Sequence, residues 1–232
     1  MRQIPLAIGP APLQTFEGFV PGSNAAALAC LQALAATLQR PTSVASTPTY
    51  LWGPQGSGKT HLLRALAARA AALGHHSAWF DSASEAPWGF NDSWGLVLID
   101  ACESLSASQQ HAAFALFIEA GARGVPIVAA GALPPIDLLL REDLRTRLAW
   151  GHVFALEPLG EIDARAALRR EADRRGIFLS DEVMAFLLTR FSRDLPHLMA
   201  LLDRLDEFAL SQGRAVSVPL LKRMFEQEGA AL

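Results

Sequence analysis

Cysteine is scarce in this 232-residue sequence, which contains only Cys30 and Cys102. The two lie far apart and show no spacing typical of metal ligands, which excludes a disulfide scaffold and a cysteine-based metal site and favours two reduced thiols. The sequence also lacks a charged-then-apolar segment at its N-terminus and any apolar run long enough to span a membrane. We therefore expect a cytoplasmic protein that does not associate with membranes.

An excess of positive charge is also missing, because 20 lysines and arginines stand against 23 aspartates and glutamates. Dedicated DNA-binding proteins usually carry a basic surface, since neutralising phosphates drives their affinity. Here the arginines are interspersed with acids, as in residues 169–175 (RREADRR), a pattern typical of solvated helix faces. We therefore expect no direct sequence-specific binding of DNA.

A phosphate-binding loop is the clearest feature that is present. Residues 53–60 (GPQGSGKT) have the complete G-x-x-x-x-G-K-[ST] spacing, between a strand-like segment at 49–52 and a helical pattern at 59–73. In such a loop, glycines let backbone N–H groups converge on an anion, the lysine reaches the outer phosphates and the last hydroxyl binds Mg²⁺. The strand–loop–helix context argues against a chance glycine-rich turn. We predict nucleotide binding by Gly53, Pro54, Gln55, Gly56, Ser57, Gly58, Lys59, Thr60 and His61.

Strands and helices alternate along the middle of the sequence and predict the fold class. Strands are predicted at 49–52, 77–81, 95–100, 125–131 and 153–156, with helices between them at 59–73, 106–121 and 141–149. This alternation predicts an α/β fold whose parallel sheet is covered by helices. Only helical patterns follow the break at 158–160 (PLG), at 161–175, 180–191, 194–211 and 217–228. We predict an extended tail at 1–14, a nucleotide-binding domain at 15–158 and a helical lid at 159–232.

Polar residues at helix starts give further local predictions. Asn24 is expected to cap a helix over 24–40, because its side chain can accept hydrogen bonds from the first free backbone N–H groups. Either Ser106 or Ser108 is expected to cap the helix over 106–121 for the same reason.

Asp100 is the predicted second metal ligand, beside Thr60. It ends an apolar strand at 95–100 (GLVLID), at the sheet edge where ligands of open α/β folds bind. An acid at this place in a phosphate-loop protein holds Mg²⁺ directly or through water. The alternative is an ordinary acid at a strand end.

Two absences near this strand predict slow hydrolysis by the chain itself. Many hydrolysing ATPases carry a carboxylate directly after the aspartate, but here the position is Ala101, and the side chain of Glu103 need not face the γ-phosphate. The tip of the next strand, residues 129–132 (AAGA), has no polar side chain for the γ-phosphate. Without a base, proton transfer loses about 10²–10⁴ in rate.

Two arginines and the N-terminal tail are candidate functional elements. Arg147 lies just before the last strand, where it can project toward a neighbouring molecule, and Arg193 begins a helix of the lid, from which it can fold over phosphates. A surface arginine is the alternative for both. Residues 3–8 (QIPLAI) combine a glutamine with spaced aliphatic residues that can dock into an apolar groove, and a frayed terminus is the alternative.

Taken in order, these segments resemble the DnaA family of AAA+ replication proteins. The resemblance includes residues 15–24 (TFEGFVPGSN), the phosphate loop, the strand ending at Asp100, Arg147 and the Arg-Asp-Leu segment at 193–195. The sequence ends after the lid helices, so we expect neither DNA-binding helices nor an N-terminal interaction domain. Together with the Gln-x-x-Leu tail, this is similar to the Hda family, the regulatory inactivators of DnaA.

The resemblance implies specific partners and roles. It implies a bound adenine nucleotide, ADP or ATP, with Mg²⁺, and contact of Arg193 with that nucleotide. It implies that Arg147 is an arginine finger acting in trans on ATP held by DnaA. It also implies that the DNA polymerase III sliding clamp (the beta subunit) is bound by Gln3, Ile4, Pro5, Leu6 and Ile8. The oligomeric state, including a homo-oligomer, is left open.

Two other functions remain open from the sequence. A self-contained AAA+ ATPase, such as a helicase loader, would hydrolyse ATP without a partner at about 1 s⁻¹ or faster. A phosphate-loop kinase would need an acceptor pocket and additional acids that the sequence does not offer.

Overall fold

The computed structural model describes residues 14–38, 47–190 and 195–228. The described residues divide into two compact units, of which the first ends at Glu157 and the second begins at Pro158. Within these described residues, no helix combines the length and the apolar composition that crossing a membrane requires.

The first unit contains one five-stranded sheet in which all neighbouring strands are parallel. The strands are β1 (Thr49–Trp52), β2 (His76–Phe80), β3 (Trp94–Ile99), β4 (Ile127–Gly131) and β5 (His152–Ala155), in the spatial order β2-β3-β4-β1-β5. This confirms the predicted α/β class. Because the strands are parallel, the residues that follow β1, β3 and β4 meet at one edge of the sheet.

Helices cover both faces of this sheet. They are α1 (Ala25–Thr37), α2 (Lys59–Ala72), α3 (Ala107–Arg123) and α4 (Glu142–Ala149). Successive residues of a strand point to opposite faces, and β3 illustrates this. Leu96 and Leu98 pack with α1 and α2, whereas Val97 and Ile99 pack with α3 and α4. A fully buried leucine contributes about 1.5–3 kcal/mol, so each face has a substantial core.

The N-terminal caps of α3 and α1 differ in how they match the predictions. Ser106 caps α3: its hydroxyl accepts from the backbone N–H of Gln109, whose side chain accepts from the Ser106 N–H. Asn24 precedes α1, but its side chain makes no capping bond, so that prediction was wrong. The buried amide instead pairs with the backbone of Glu157, donating to its carbonyl at 2.8 Å and accepting from its N–H at 2.9 Å.

The second unit is helical, as predicted. Its helices are α5 (Glu161–Arg174), α6 (Asp181–Arg190), α7 (Leu195–Gln212) and α8 (Val218–Glu228). They bury an apolar core of their own, which includes Leu168, Met184, Leu187, Leu198, Leu202, Leu205, Leu221 and Phe225.

Candidate nucleotide-binding site

The phosphate loop connects β1 to α2 in the predicted strand–loop–helix arrangement, and its glycines are required sterically. Gly56 and Gly58 have positive φ angles of 80° and 93°. A Cβ atom at Gly53 would lie 2.2 Å from the carbonyl oxygen of Leu156, and one at Gly58 would lie 2.6 Å from the ring of Phe19. Gly58 directly precedes α2, so the positive end of the helix dipole faces the loop.

Lys59 places its ammonium group inside this loop. Its Nζ donates hydrogen bonds to the carbonyl oxygens of Gly53 at 2.6 Å and Pro54 at 2.8 Å. Burial lowers the pKa of Lys59, and the charges of Glu103 and Asp100 oppose that change. The lysine is therefore held where a phosphate group would be bound, with two carboxylates close enough to act on it.

Thr60 and Asp100, the two predicted metal ligands, are in direct contact. The Thr60 hydroxyl donates to Oδ2 of Asp100 at 2.7 Å, and the other carboxylate oxygen accepts from the N–H of Ala101 at 2.9 Å. A hydroxyl and a carboxylate are hard oxygen ligands, which suit Mg²⁺ when phosphates and water complete its shell. No cluster of three or more His, Cys, Asp or Glu that could hold a metal alone occurs among the described residues.

Glu103 contacts the end of β4, a contact that no sequence motif predicted. Ala101 adopts a left-handed conformation (φ 51°), and a short 3-10 turn at Cys102–Ser104 follows. Oε2 of Glu103 accepts a hydrogen bond of 2.9 Å from the backbone N–H of Ala132, directly after β4. The end of β4 therefore carries a carboxylate, although residues 129–132 have no polar side chains of their own. An acid close behind Asp100 was the only sequence signal for this contact.

The segment before α1 packs against the loop. Nε2 of His61 is 2.9 Å from the carbonyl oxygen of Thr15, and its ring centroid is 5.5 Å from that of Phe19. Burial lowers the pKa of His61, and the contact with the Thr15 carbonyl opposes this. His61 thus connects α2 to the segment that begins the first unit, and its contact with a nucleotide stays a prediction.

Arg147 lies in the last turn of α4 and is half-buried. Its Cζ atom is 5.5 Å from the ring centroid of Trp150, a side chain that is 69% exposed. Within the described ranges, no carboxylate forms an ion pair with Arg147, whereas Arg141 at the start of the same helix is paired with Asp143 at 2.6 Å. Among the described residues, the contact that holds the guanidinium of Arg147 is thus one with an exposed aromatic ring.

The other predicted site residues fall outside the described ranges. These are Arg193, in the segment between α6 and α7, and the tail residues Gln3, Ile4, Pro5, Leu6 and Ile8.

Comparisons with known proteins identify two families along the chain. Residues 11–79 match the bacterial DnaA ATPase domain, and residues 161–225 match the Hda lid domain. An uncharacterized protein of Haemophilus influenzae is 30% identical over 233 aligned positions, which cover 96% of this chain and 98% of that protein.

Two solved structures of DnaA share the fold at low sequence identity. Domain III of the Thermotoga maritima replication initiation protein DnaA superposes with a TM-score of 0.76 at 22% identity, covering 94% of this chain and 98% of that one. AMPPCP-bound DnaA from Aquifex aeolicus superposes with a TM-score of 0.72 at 19% identity, covering 94% and 70%. The chain belongs to the DnaA-homologous AAA+ proteins and, within them, is an Hda-like protein.

Proposed function

We propose that this protein is a negative regulator of replication initiation that switches off DnaA by stimulating hydrolysis of DnaA-bound ATP. The observation that carries the proposal is the side chain of Arg147, which is partly exposed at the end of α4 and lacks an ion-pair partner among the described residues. A regulator of this kind needs such a guanidinium, because the side chain must project from the surface and contact the nucleotide bound to its partner.

The protein's own nucleotide would be an adenine nucleotide bound at the phosphate loop. Lys59 would bind its outer phosphates, and Thr60 and Asp100 would hold Mg²⁺, which neutralises phosphate charge when bound. The Aquifex aeolicus relative of known structure is bound to AMPPCP, which supports an adenine nucleotide in this fold. We propose ADP as the working ligand, and contact of Arg193 with it from the lid.

Arg147 would act on the γ-phosphoryl group of ATP held by DnaA. Negative charge is spread over the oxygens of that group in the transition state, and a planar guanidinium with several donors stabilises it. An arginine supplied in trans increases hydrolysis by about 10³–10⁵. A protein with this role does not need fast hydrolysis at its own site, which fits the absence of a carboxylate at Ala101.

The tail would recruit the protein to replicating DNA. We propose three parts for the chain: a clamp-binding tail at 1–14, the nucleotide-binding core at 15–158 and the lid at 159–232. Residues 3–8 of the tail would dock into an apolar groove of the sliding clamp. Holding this protein on a DNA-loaded clamp would raise its effective concentration at replicating DNA.

The direct test uses DnaA loaded with radiolabelled ATP, a DNA-loaded clamp and the purified protein. We expect rapid conversion of the bound ATP to ADP only when all three components are present. Deleting residues 1–8 should abolish retention on immobilised clamp without changing ADP binding. Conversion that is the same with and without this protein would contradict the proposal.

A self-contained ATPase is the second candidate, and the position of Glu103 favours it. A carboxylate at the end of β4 could accept a proton from attacking water. Turnover of about 1 s⁻¹ or more by the protein alone would support this function. We expect turnover far below that value.

A further inference from the structure

The carboxylate of Glu103 lies against the end of β4, which has no polar side chain of its own. A Cβ atom built on Gly131, the last residue of β4, would lie 2.2 Å from the hydroxyl oxygen of Tyr50 and 3.0 Å from Oε2 of Glu103. The bond from the Ala132 N–H at 2.9 Å fixes this oxygen at the strand end. Between Asp100 and this glutamate the chain passes through the left-handed residue Ala101 and enters the short 3-10 turn at Cys102–Ser104.

Glu103 is exposed and forms no ion pair among the described residues. No lysine, arginine or histidine of the described ranges lies within 4 Å of its carboxylate. The nearby hydroxyl of Tyr50 donates instead to the carbonyl oxygen of Leu133 at 2.8 Å. The end of β4 adjoins the phosphate loop, since the N–H of Gly53 donates to the carbonyl oxygen of Gly131 at 3.3 Å and Lys59 donates to the carbonyl oxygen of Gly53 at 2.6 Å. The charge of Glu103 accordingly raises the pKa of Lys59, against the lowering by burial.

This position has a consequence for the terminal phosphate of a nucleotide. The lysine of a phosphate loop reaches the β- and γ-phosphates, so a charge that acts on Lys59 also acts on the outermost phosphate. A triphosphate has one more phosphate group than a diphosphate and brings its additional negative charge toward Glu103. A neutral polar side chain would attract that group, whereas a carboxylate repels it.

We propose that Glu103 is a specificity-determining residue that makes this site favour a nucleoside diphosphate over the triphosphate. The inference rests on the proposed nucleotide site at residues 53–60. A site with this preference would keep a diphosphate bound in this chain while Arg147 acts on the nucleotide of another molecule.

The test compares wild type with Glu103→Gln, measuring equilibrium affinities for Mg·ADP and Mg·AMPPCP by competition against a fluorescent ADP. Glutamine keeps the shape and can still accept from the Ala132 N–H, so only the charge is removed. We expect AMPPCP affinity to rise about tenfold and ADP affinity to stay within about twofold, as removal of one like charge at close range predicts. Glu85→Gln removes an exposed charge from the loop after β2 and should change neither affinity.

The other outcomes separate this inference from the proposed function. An unchanged ratio of the two affinities in Glu103→Gln would overturn the inference and leave the nucleotide site intact. An unchanged ratio with lost ATP turnover would overturn it in favour of a general base. Wild type that binds neither nucleotide would overturn the proposed site and the inference together.

Discussion

The guanidinium of Arg147 lies over the indole ring of Trp150, with 5.5 Å between Cζ and the ring centroid. An exposed cation–π contact is worth only about 0.5–1 kcal/mol, so it orients the arginine without holding it against a competing phosphate. Tryptophan and arginine are also the residues most enriched among the energetic anchors of protein interfaces. The pair therefore matches the two requirements of an arginine that works in trans: a defined resting position and easy release.

Replacing Trp150 with alanine should weaken stimulation of DnaA-bound ATP hydrolysis about two- to fivefold, because Arg147 loses the contact that orients it. The measurement is the single-turnover rate at saturating regulator. Trp150→Phe should retain most of the rate, since a smaller aromatic ring still accepts the cation. Equal rates for Trp150→Ala and wild type would show that the ring does not position the arginine.

Removing Mg²⁺ should weaken nucleotide binding through Asp100. We expect EDTA to lower the affinity of wild type for ADP about tenfold or more, and Asp100→Asn to be similarly weak whether or not Mg²⁺ is present. Titration with a fluorescent ADP, with and without EDTA, measures both effects. An Asp100→Asn variant with full dependence on Mg²⁺ would remove Asp100 from the metal site.

Alanine at Gly58 should destabilise the first unit more than alanine at Gly74. Both glycines have positive φ angles, of 93° and 82°, so both substitutions strain the backbone. Only at Gly58 does the new Cβ clash, at 2.6 Å from the Phe19 ring, whereas nothing lies within 4 Å at Gly74. We expect a difference of about 1–3 kcal/mol in the free energy of unfolding, measured in urea. Equal losses would mean that Phe19 does not pack on the loop in solution.

Stability should fall on acidification because of His61. Burial lowers the pKa of His61 in the folded state, so the unfolded chain binds its proton at a higher pH than the folded chain does. As pH falls from above the unfolded pKa of 6.5 toward the folded pKa, protonation therefore favours unfolding. His61→Gln should show a smaller loss of unfolding free energy between pH 7.5 and 5.5 than wild type. Identical pH dependences would show that His61 is not buried as the neutral form.

Much of the fold follows from local sequence patterns. The apolar run that ends at Asp100 and the loop glycines before Lys59 predict a strand and a strand–loop–helix unit. Parallel strands then place their carboxyl ends at one edge, which is why the proximity of Thr60 and Asp100 was predictable.

Two contacts were not predictable, because one joins residues far apart in the sequence and the other follows a residue with an unusual backbone conformation. Asn24 pairs with Glu157, 133 residues away, and no local rule indicates that partner. Glu103 reaches the end of β4 after Ala101, which is left-handed, a conformation that residues other than glycine, asparagine and aspartate seldom adopt. Both contacts therefore belong to tertiary structure rather than to secondary structure.

The most direct measurement is the single-turnover loss of ATP from DnaA, with DNA-loaded clamp, in the presence of wild type, Arg147→Ala or Arg145→Ala. Arg145 is the matched control, because it lies on the same helix and is also half-buried. We predict that Arg147→Ala lowers the stimulated rate about 10³-fold or more, whereas Arg145→Ala keeps a rate near that of wild type. Both variants should bind ADP with the affinity of wild type. Stimulation retained by Arg147→Ala would contradict the proposal that this arginine completes the partner's site.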